Sequence, residues 1–220
     1  MLDFETLRQR MVDNQLRPSE VTDHRLIRAF QTVPREIFVE AAEQPFAYAD
    51  RELLMSSAAP ERRMMAPVHL ARMIQALALG PAAGAMVVGC GSGYSAAILA
   101  QLAGTVVAVE QHESLVALAR DRLAAVGAAN ATVAVARLTD GFADGAPYDA
   151  ILIDGAVEVL PKTLLQQLRP EKVLAGIERD ERISRATLYS LVGGEVTKWP
   201  VFDAWAPLLP GFERRREFVF

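Results

Sequence analysis

The chain has 220 residues, of which 51% are hydrophobic and 23% are charged, and its formal net charge is −4. This length and composition indicate a folded globular protein with a sizeable core and exclude an intrinsically disordered chain. The acidic balance provides no general basic field, so we expect no nucleic-acid partner. The single cysteine, Cys90, excludes an internal disulfide and a cysteine-built metal site, and we expect no bound metal.

The hydropathy pattern indicates neither a secretory signal nor a membrane anchor. The first ten residues, MLDFETLRQR, contain no apolar signal core. No apolar run approaches the roughly 20 residues that a membrane-spanning helix requires. We therefore expect a cytoplasmic protein without a membrane partner.

The N-terminal part of the chain is predicted to be helical and then irregular. Apolar residues at helical spacing predict a helix over residues 2–16, and Asp23 is placed to cap a second helix. Residues 44–66 show no regular period, which is typical either of a loop that folds over a ligand site or of a surface connection. We therefore divide the chain into a helical extension with a substrate-side loop (1–66), packed on a main domain (67–220).

The main domain is organised around one unit of strand, glycine turn, helix and strand over residues 85–110. Its first apolar run meets Gly89, Gly91 and Gly93, and its second apolar run ends at Glu110. This order is typical of a nucleotide-type βαβ unit, in which glycines let the backbone approach a ligand closely. A carboxylate at the end of the second strand can accept both hydroxyls of a ribose.

The spacing of the glycines indicates which ligand is bound. A dinucleotide fingerprint needs its third glycine five positions after the first, and Tyr94 occupies that position here. No Arg or Lys lies between Gly84 and Glu110 to assist a pyrophosphate. The pattern therefore favours S-adenosylmethionine as the cofactor, while a dinucleotide and a tight turn without a ligand remain alternatives.

After this unit, helical and strand patterns continue to alternate. The predicted helices cover residues 112–126 and 161–168, and the predicted strands cover 132–136, 148–153 and 172–177. This alternation predicts an α/β fold with a mostly parallel, doubly wound sheet. We expect residues 186–192 and 216–220 to pair as an antiparallel end of that sheet. Ligands of such sheets lie beyond the carboxyl ends of the strands. The residues at or just past those ends are Gly89, Glu110, Asp140 and Asp154.

Several motifs also occur in an order that is typical of one enzyme family. They include MVDNQL (11–16), TDHRLIRAF (22–30), VPREIFV (33–39), GCGSGYSAAILAQLAG (89–104) and APYDAILIDGA (146–156). Across most of residues 11–170 the chain resembles the protein-L-isoaspartate O-methyltransferase family. The resemblance implies a Rossmann-like methyltransferase fold with S-adenosylmethionine as cofactor. It also implies esterification of isoaspartyl carboxylates in damaged proteins, with an isoaspartyl-containing protein or peptide as the partner.

The resemblance also assigns cofactor-binding residues. The three glycines of the turn would line the methionine part of the cofactor, and the acid after the second strand would hold the ribose. An Asp-Gly pair further along the chain would contact the adenine edge. In chain order these residues are Gly89, Gly91, Gly93, Glu110, Asp140 and Gly141.

The chain departs from the family pattern in the segment that corresponds to the substrate loop and just before the glycine turn. Met65 stands where a serine is expected, Arg63 stands where a threonine is expected, and Val87 replaces an acid. We expect Arg63 to bind the substrate carboxylate in place of the missing hydroxyls, and Asp154 to orient the acceptor or act as a base. The simpler interpretations are a solvated charge for Arg63 and a helix cap for Asp154. A thioether cannot donate a hydrogen bond, so we expect slow or no turnover on isoaspartyl peptides, with binding of the methyl donor retained. The alternatives are a different methyl acceptor and a catalytically silent relative that binds a nucleoside or a partner protein.

Overall fold

The computed structural model describes residues 2–56, 61–180 and 183–214, which form six α-helices and nine β-strands. The helices are α1 (Phe4–Met11), α2 (His24–Thr32), α3 (Pro67–Ala76), α4 (Tyr94–Ala100), α5 (Glu113–Ala125) and α6 (Lys162–Leu165). The strands are β1 (Leu53–Ser56), β2 (Arg62–Met64), β3 (Gly84–Val88), β4 (Thr105–Glu110), β5 (Ala131–Val135), β6 (Tyr148–Val157), β7 (Leu168–Arg179), β8 (Ser184–Val192) and β9 (Glu195–Asp203). Within the described residues, no helix is both long and apolar enough to cross a bilayer.

Seven of the strands form one sheet in the order β5-β4-β3-β6-β7-β8-β9. The first five strands in this order are parallel, and β8 and β9 are antiparallel to their neighbours. The predicted α/β fold with a mostly parallel sheet and an antiparallel C-terminal end is therefore confirmed. The chain passes from β3 outward to β4 on one side, while β6 pairs with β3 on the other side. This reversal creates the crevice in which ligands of open α/β sheets bind.

Both faces of the central strands are covered, which explains their continuous apolar sequences. Val87 belongs to one buried hydrophobic cluster, whereas its neighbours Met86 and Val88 belong to a second cluster. The first cluster also contains Leu26 and Phe30 of α2, so the N-terminal helices pack directly on one face of the sheet. The division of the chain at residue 66 stays a prediction.

The structure differs from the sequence-based prediction in three segments. The helix predicted over 161–168 is shortened to α6, because β7 already begins at Leu168. Residues 44–66, predicted to be irregular, contain the antiparallel hairpin β1–β2. The outer neighbour of β8 is β9, which follows it through Gly193 and Gly194 at φ +59° and +86°. A Gly-Gly pair between two strands is a known hairpin signal, and it was missed here. The predicted strand at 216–220 lies outside the described residues.

Candidate cofactor and acceptor site

The glycine loop joins β3 to α4 and lies against the end of β4. Gly89, Gly91 and Gly93 have φ values of +80°, +53° and +95°, which glycine adopts far more readily than other residues. The backbone N–H of Gly89 donates to the carbonyl oxygen of Val109 at 2.9 Å. The predicted glycine turn therefore lies at the carboxyl ends of two neighbouring parallel strands.

Glu110, the predicted ribose acceptor, is completely buried beside this loop. Its Oε2 accepts a hydrogen bond from the Gly91 backbone N–H at 3.1 Å. Its Oε1 accepts from the backbone N–H of Gln111 at 2.9 Å. Backbone donors thus fix the carboxylate at the end of β4, facing the glycine loop.

Asp140 is exposed and Gly141 is buried, and a glutamine side chain holds the turn that they form. Nε2 of Gln167 donates to the Asp140 carbonyl oxygen at 2.7 Å, and Oε1 of Gln167 accepts from the Phe142 backbone N–H at 3.0 Å. Gly141 has φ +64°, and an added Cβ would lie 2.7 Å from Oε1 of Gln167. The sequence analysis did not identify Gln167, because its contact with the turn spans 27 residues of sequence.

Asp154, a predicted catalytic residue, lies near the end of β6 and is almost fully buried. Burial raises the pKa of its carboxyl group to about 6, and Ser95, Arg62 and Arg35 oppose that rise. A buried carboxyl group with a pKa in this range can hold or release a proton under physiological conditions. The sequence analysis placed Asp154 at or just past the end of this strand, but β6 continues to Val157, so Asp154 lies inside the strand. Its catalytic role stays a prediction.

Arg63, the other predicted catalytic residue, is partly exposed on the outer side of β2. Its Nε lies 2.8 Å from Oε1 of Glu61, and 39% of its side chain is accessible. Arg63 and Asp154 both line a cleft of about 250 Å³, which the C-terminal segment 205–210 helps to enclose. The structure therefore brings both predicted catalytic residues to one cleft.

The neighbouring arginine, Arg62, points inward and was missed by the sequence analysis. Its side chain is only 6% accessible, and its Nη1 lies 3.4 Å from Oε2 of Glu110. Its Nη2 donates to the Gly89 carbonyl oxygen at 3.0 Å. The run Glu61-Arg62-Arg63 does not show which arginine faces inward, because that depends on how β2 pairs with β1.

Arg35 is a second buried arginine that the sequence analysis did not assign. It is fully buried, and its Nη2 donates to the Met65 carbonyl oxygen at 2.7 Å. Its guanidinium carbon lies 4.8 Å from the centre of the Tyr94 ring, within the range of a cation–π contact. Met65, at the expected serine position, is 1% exposed and packs in the hydrophobic core.

The glycine loop, the buried acid after β4 and the order of the parallel strands define a Rossmann-like methyltransferase of the S-adenosylmethionine-dependent class. The sequence matches the family described as "Protein-L-isoaspartate(D-aspartate) O-methyltransferase (PCMT)" over residues 6–188. The chain belongs to this protein-L-isoaspartate O-methyltransferase family. Enzymes of the family use S-adenosylmethionine, which confirms the cofactor predicted from the glycine spacing.

Individual relatives agree with this assignment. The chain is 41% identical to a protein-L-isoaspartate O-methyltransferase of Koribacter versatilis over 161 residues, which cover 73% of this chain and 71% of the relative. It is 40% identical to that of Herpetosiphon aurantiacus over 161 residues, with coverages of 73% and 70%.

Solved structures confirm the fold independently. One protein-L-isoaspartate O-methyltransferase superimposes with a TM-score of 0.83 at 20% identity, covering 93% of this chain and 66% of the other. A Plasmodium falciparum structure described as this methyltransferase, in complex with S-adenosylhomocysteine, superimposes with a TM-score of 0.77 at 18% identity. The second superposition covers 95% of this chain and 99% of that one.

The residues at the glycine loop are of the chemical types that S-adenosylmethionine needs. The three glycines of the loop add no side chains to the cradle, and Glu110 supplies a carboxylate that backbone N–H groups hold in place. Among the described residues, the buried Ser92 hydroxyl in the same loop has no hydrogen-bond partner. The space above the loop, however, holds side chains from two other parts of this chain, Met55 with Arg62 and Leu209.

Proposed function

We propose that the chain transfers the methyl group of S-adenosylmethionine to the carboxylate of isoaspartyl residues in proteins or peptides. The observation that carries this proposal is the buried Glu110 carboxylate beside the glycine loop, in a chain that matches the family over residues 6–188. Glu110 would hold the ribose and the loop glycines would line the methionine part. Asp140 and Gly141 would contact the adenine edge.

The reaction does not require a strong catalytic base. The cofactor supplies an electrophilic methyl group, and the attacking carboxylate is already ionised near neutral pH. The protein must therefore hold the two reactants in line and exclude water. We assign the binding of the substrate carboxylate to Arg63, whose guanidinium can make two parallel hydrogen bonds. We assign a second positioning contact to Asp154, which lines the same cleft as Arg63.

Methyl transfer from labelled S-adenosylmethionine tests this proposal. An isoaspartyl peptide and the same peptide with normal aspartate form the matched pair of substrates. We expect label in the isoaspartyl peptide only, at a low rate because Met65 supplies no hydroxyl group at the expected serine position. Absence of label in both peptides, while S-adenosylhomocysteine binding is intact, would contradict the proposed substrate. The cytoplasmic location and the absence of nucleic-acid and membrane partners stay predictions.

A further inference from the structure

The carboxylate assigned to the ribose is already paired with an arginine of the same chain. Nη1 of Arg62 lies 3.4 Å from Oε2 of Glu110, and both side chains are buried. Nη2 of the same guanidinium donates to the Gly89 carbonyl oxygen at 3.0 Å. Arg62 therefore lies between the glycine loop and the ribose-binding acid, where the ribose of the cofactor would lie.

The hairpin β1–β2 brings this arginine to the loop. Ser56 of β1 pairs with Arg62, and successive residues of β2 alternate between buried and exposed, so Arg62 faces inward and Arg63 outward. Met55 of the same hairpin also lies on the loop. Its Sδ accepts from the Ser92 backbone N–H at 3.4 Å, and a Cβ added to Gly91 would lie 2.5 Å from its Cε.

The C-terminal segment covers the loop from another direction. Residues 207–209 are tied to the end of β6 by two hydrogen bonds, from Ala156 N–H to the Pro207 carbonyl oxygen at 2.8 Å and from Leu209 N–H to the Ala156 carbonyl oxygen at 2.9 Å. A Cβ added to Gly89 would lie 2.9 Å from Cδ1 of Leu209. The glycine cradle is thus enclosed by the chain itself.

Glu110 does not depend on Arg62 for its hydrogen bonds. Backbone N–H groups of Gly91, Gln111 and His112 donate to it at 3.1, 2.9 and 3.4 Å. The guanidinium can therefore leave without stranding the carboxylate. Desolvation of a buried ion pair cancels much of its attraction, and Nη1 of Arg62 makes no hydrogen bond within the described residues. The departure of Arg62 therefore breaks the hydrogen bond from Nη2 to Gly89 and the ion pair with Glu110.

From these contacts we propose that Arg62 competes with the cofactor for Glu110. The described conformation is a self-closed state in which the guanidinium occupies the ribose position. Binding of the cofactor displaces Arg62, together with the inner side of the hairpin, and the ribose hydroxyls replace it on the carboxylate. This inference rests on the cofactor use included in the proposed function, but not on the identity of the methyl acceptor.

Binding of S-adenosylhomocysteine to the full chain, measured by calorimetry, tests the competition. We expect Arg62→Ala to bind S-adenosylhomocysteine about tenfold more tightly than the wild type does. Without the ion pair between Arg62 and Glu110, a larger fraction of the protein is in the binding-competent state. Arg17→Ala is the matched control, since Arg17 is an exposed arginine that pairs only with Asp13 in the described residues. We expect the control to bind as the wild type does.

Equal or weaker binding by Arg62→Ala would overturn the proposal, as would failure of both wild type and variant to bind.

A second measurement needs no variant and remains decisive if Arg62→Ala does not fold. Amide hydrogen exchange in residues 62–64 of the wild type is expected to rise when S-adenosylhomocysteine saturates the protein. Unchanged or slower exchange there would overturn the proposal. Neither measurement uses methyl transfer, so failure of the isoaspartyl assignment would be seen separately.

Discussion

The donor side and the acceptor side of the site are assembled in different ways. The donor side consists of the glycine loop and the acid after β4, and its residues are Gly89, Gly91, Gly93 and Glu110. The acceptor side is the cleft lined by residues from three distant segments, which include Arg62, Arg63, Asp154 and Leu209. The donor side is built from backbone geometry within one βαβ unit, whereas the acceptor side depends on long-range packing. The comparison shows that one βαβ unit places the donor side, whereas the acceptor side forms only when distant segments of the chain pack together.

The largest expected effect is a loss of stability, and it tests whether Met65 belongs to the hydrophobic core of the protein. We expect Met65→Ser to lower the free energy of unfolding by about 3 kcal/mol, because Met65 is 1% exposed and its side chain packs in the main hydrophobic cluster. Denaturant unfolding of both proteins measures the difference. We therefore expect that introducing a serine at this position, as the resemblance implies, destabilises the fold.

Arg63→Thr provides the control for that substitution. Arg63 is partly exposed and pairs with the exposed Glu61, so we expect a change within about 0.5 kcal/mol. If Arg63→Thr destabilised the protein as much as Met65→Ser does, the assignment of Arg63 to the exposed side of β2 would be wrong.

The second effect tests the donor side. We expect Glu110→Ala to weaken S-adenosylhomocysteine binding by roughly 1.5–3 kcal/mol, because hydrogen bonds to a charged acceptor are lost. Calorimetric titration measures the change, and thermal melting checks that the variant is folded. Glu113→Ala is a suitable control because Glu113 is exposed in the first turn of α5. Unchanged affinity in folded Glu110→Ala would remove the ribose assignment.

The third effect concerns the buried carboxyl group on the acceptor side. Burial raises the pKa of Asp154 to about 6, so the folded state binds its proton more tightly than the unfolded state does. Ionisation of Asp154 therefore lowers the free energy of unfolding progressively as the pH rises from about 4 to about 6. We expect Asp154→Asn to be more stable than the wild type at pH 7.5, by on the order of 2 kcal/mol, and equally stable near pH 4.

Urea unfolding at both pH values measures this difference, with Asp121→Asn as a control at an exposed position. A stabilisation that persists unchanged at pH 4 would show that the effect is not caused by ionisation. Destabilisation at pH 7.5 would show that the ionised carboxylate is held by its arginine neighbours more strongly than burial opposes it.

The contrast between the two sides also explains what could be predicted from the sequence. The glycine loop and Glu110 were found because strand, turn and helix follow one another within 26 residues and each leaves a local pattern. Arg62 and Leu209 were not found, because their positions depend on hairpin register and on a segment that returns to β6 from the C-terminal end. The Gly193-Gly194 turn was visible in the sequence, but the partner of β8 was sought further along the chain.

The position of the Arg62 guanidinium in a crystal structure with S-adenosylhomocysteine tests the account most directly. The account predicts that both ribose hydroxyls are bonded to Glu110 and that Arg62 lies beyond hydrogen-bonding distance of that carboxylate. A structure in which Arg62 keeps its contact with Glu110 while the ligand is bound would contradict the competition between them. A ligand bound away from Glu110 would contradict the donor site itself.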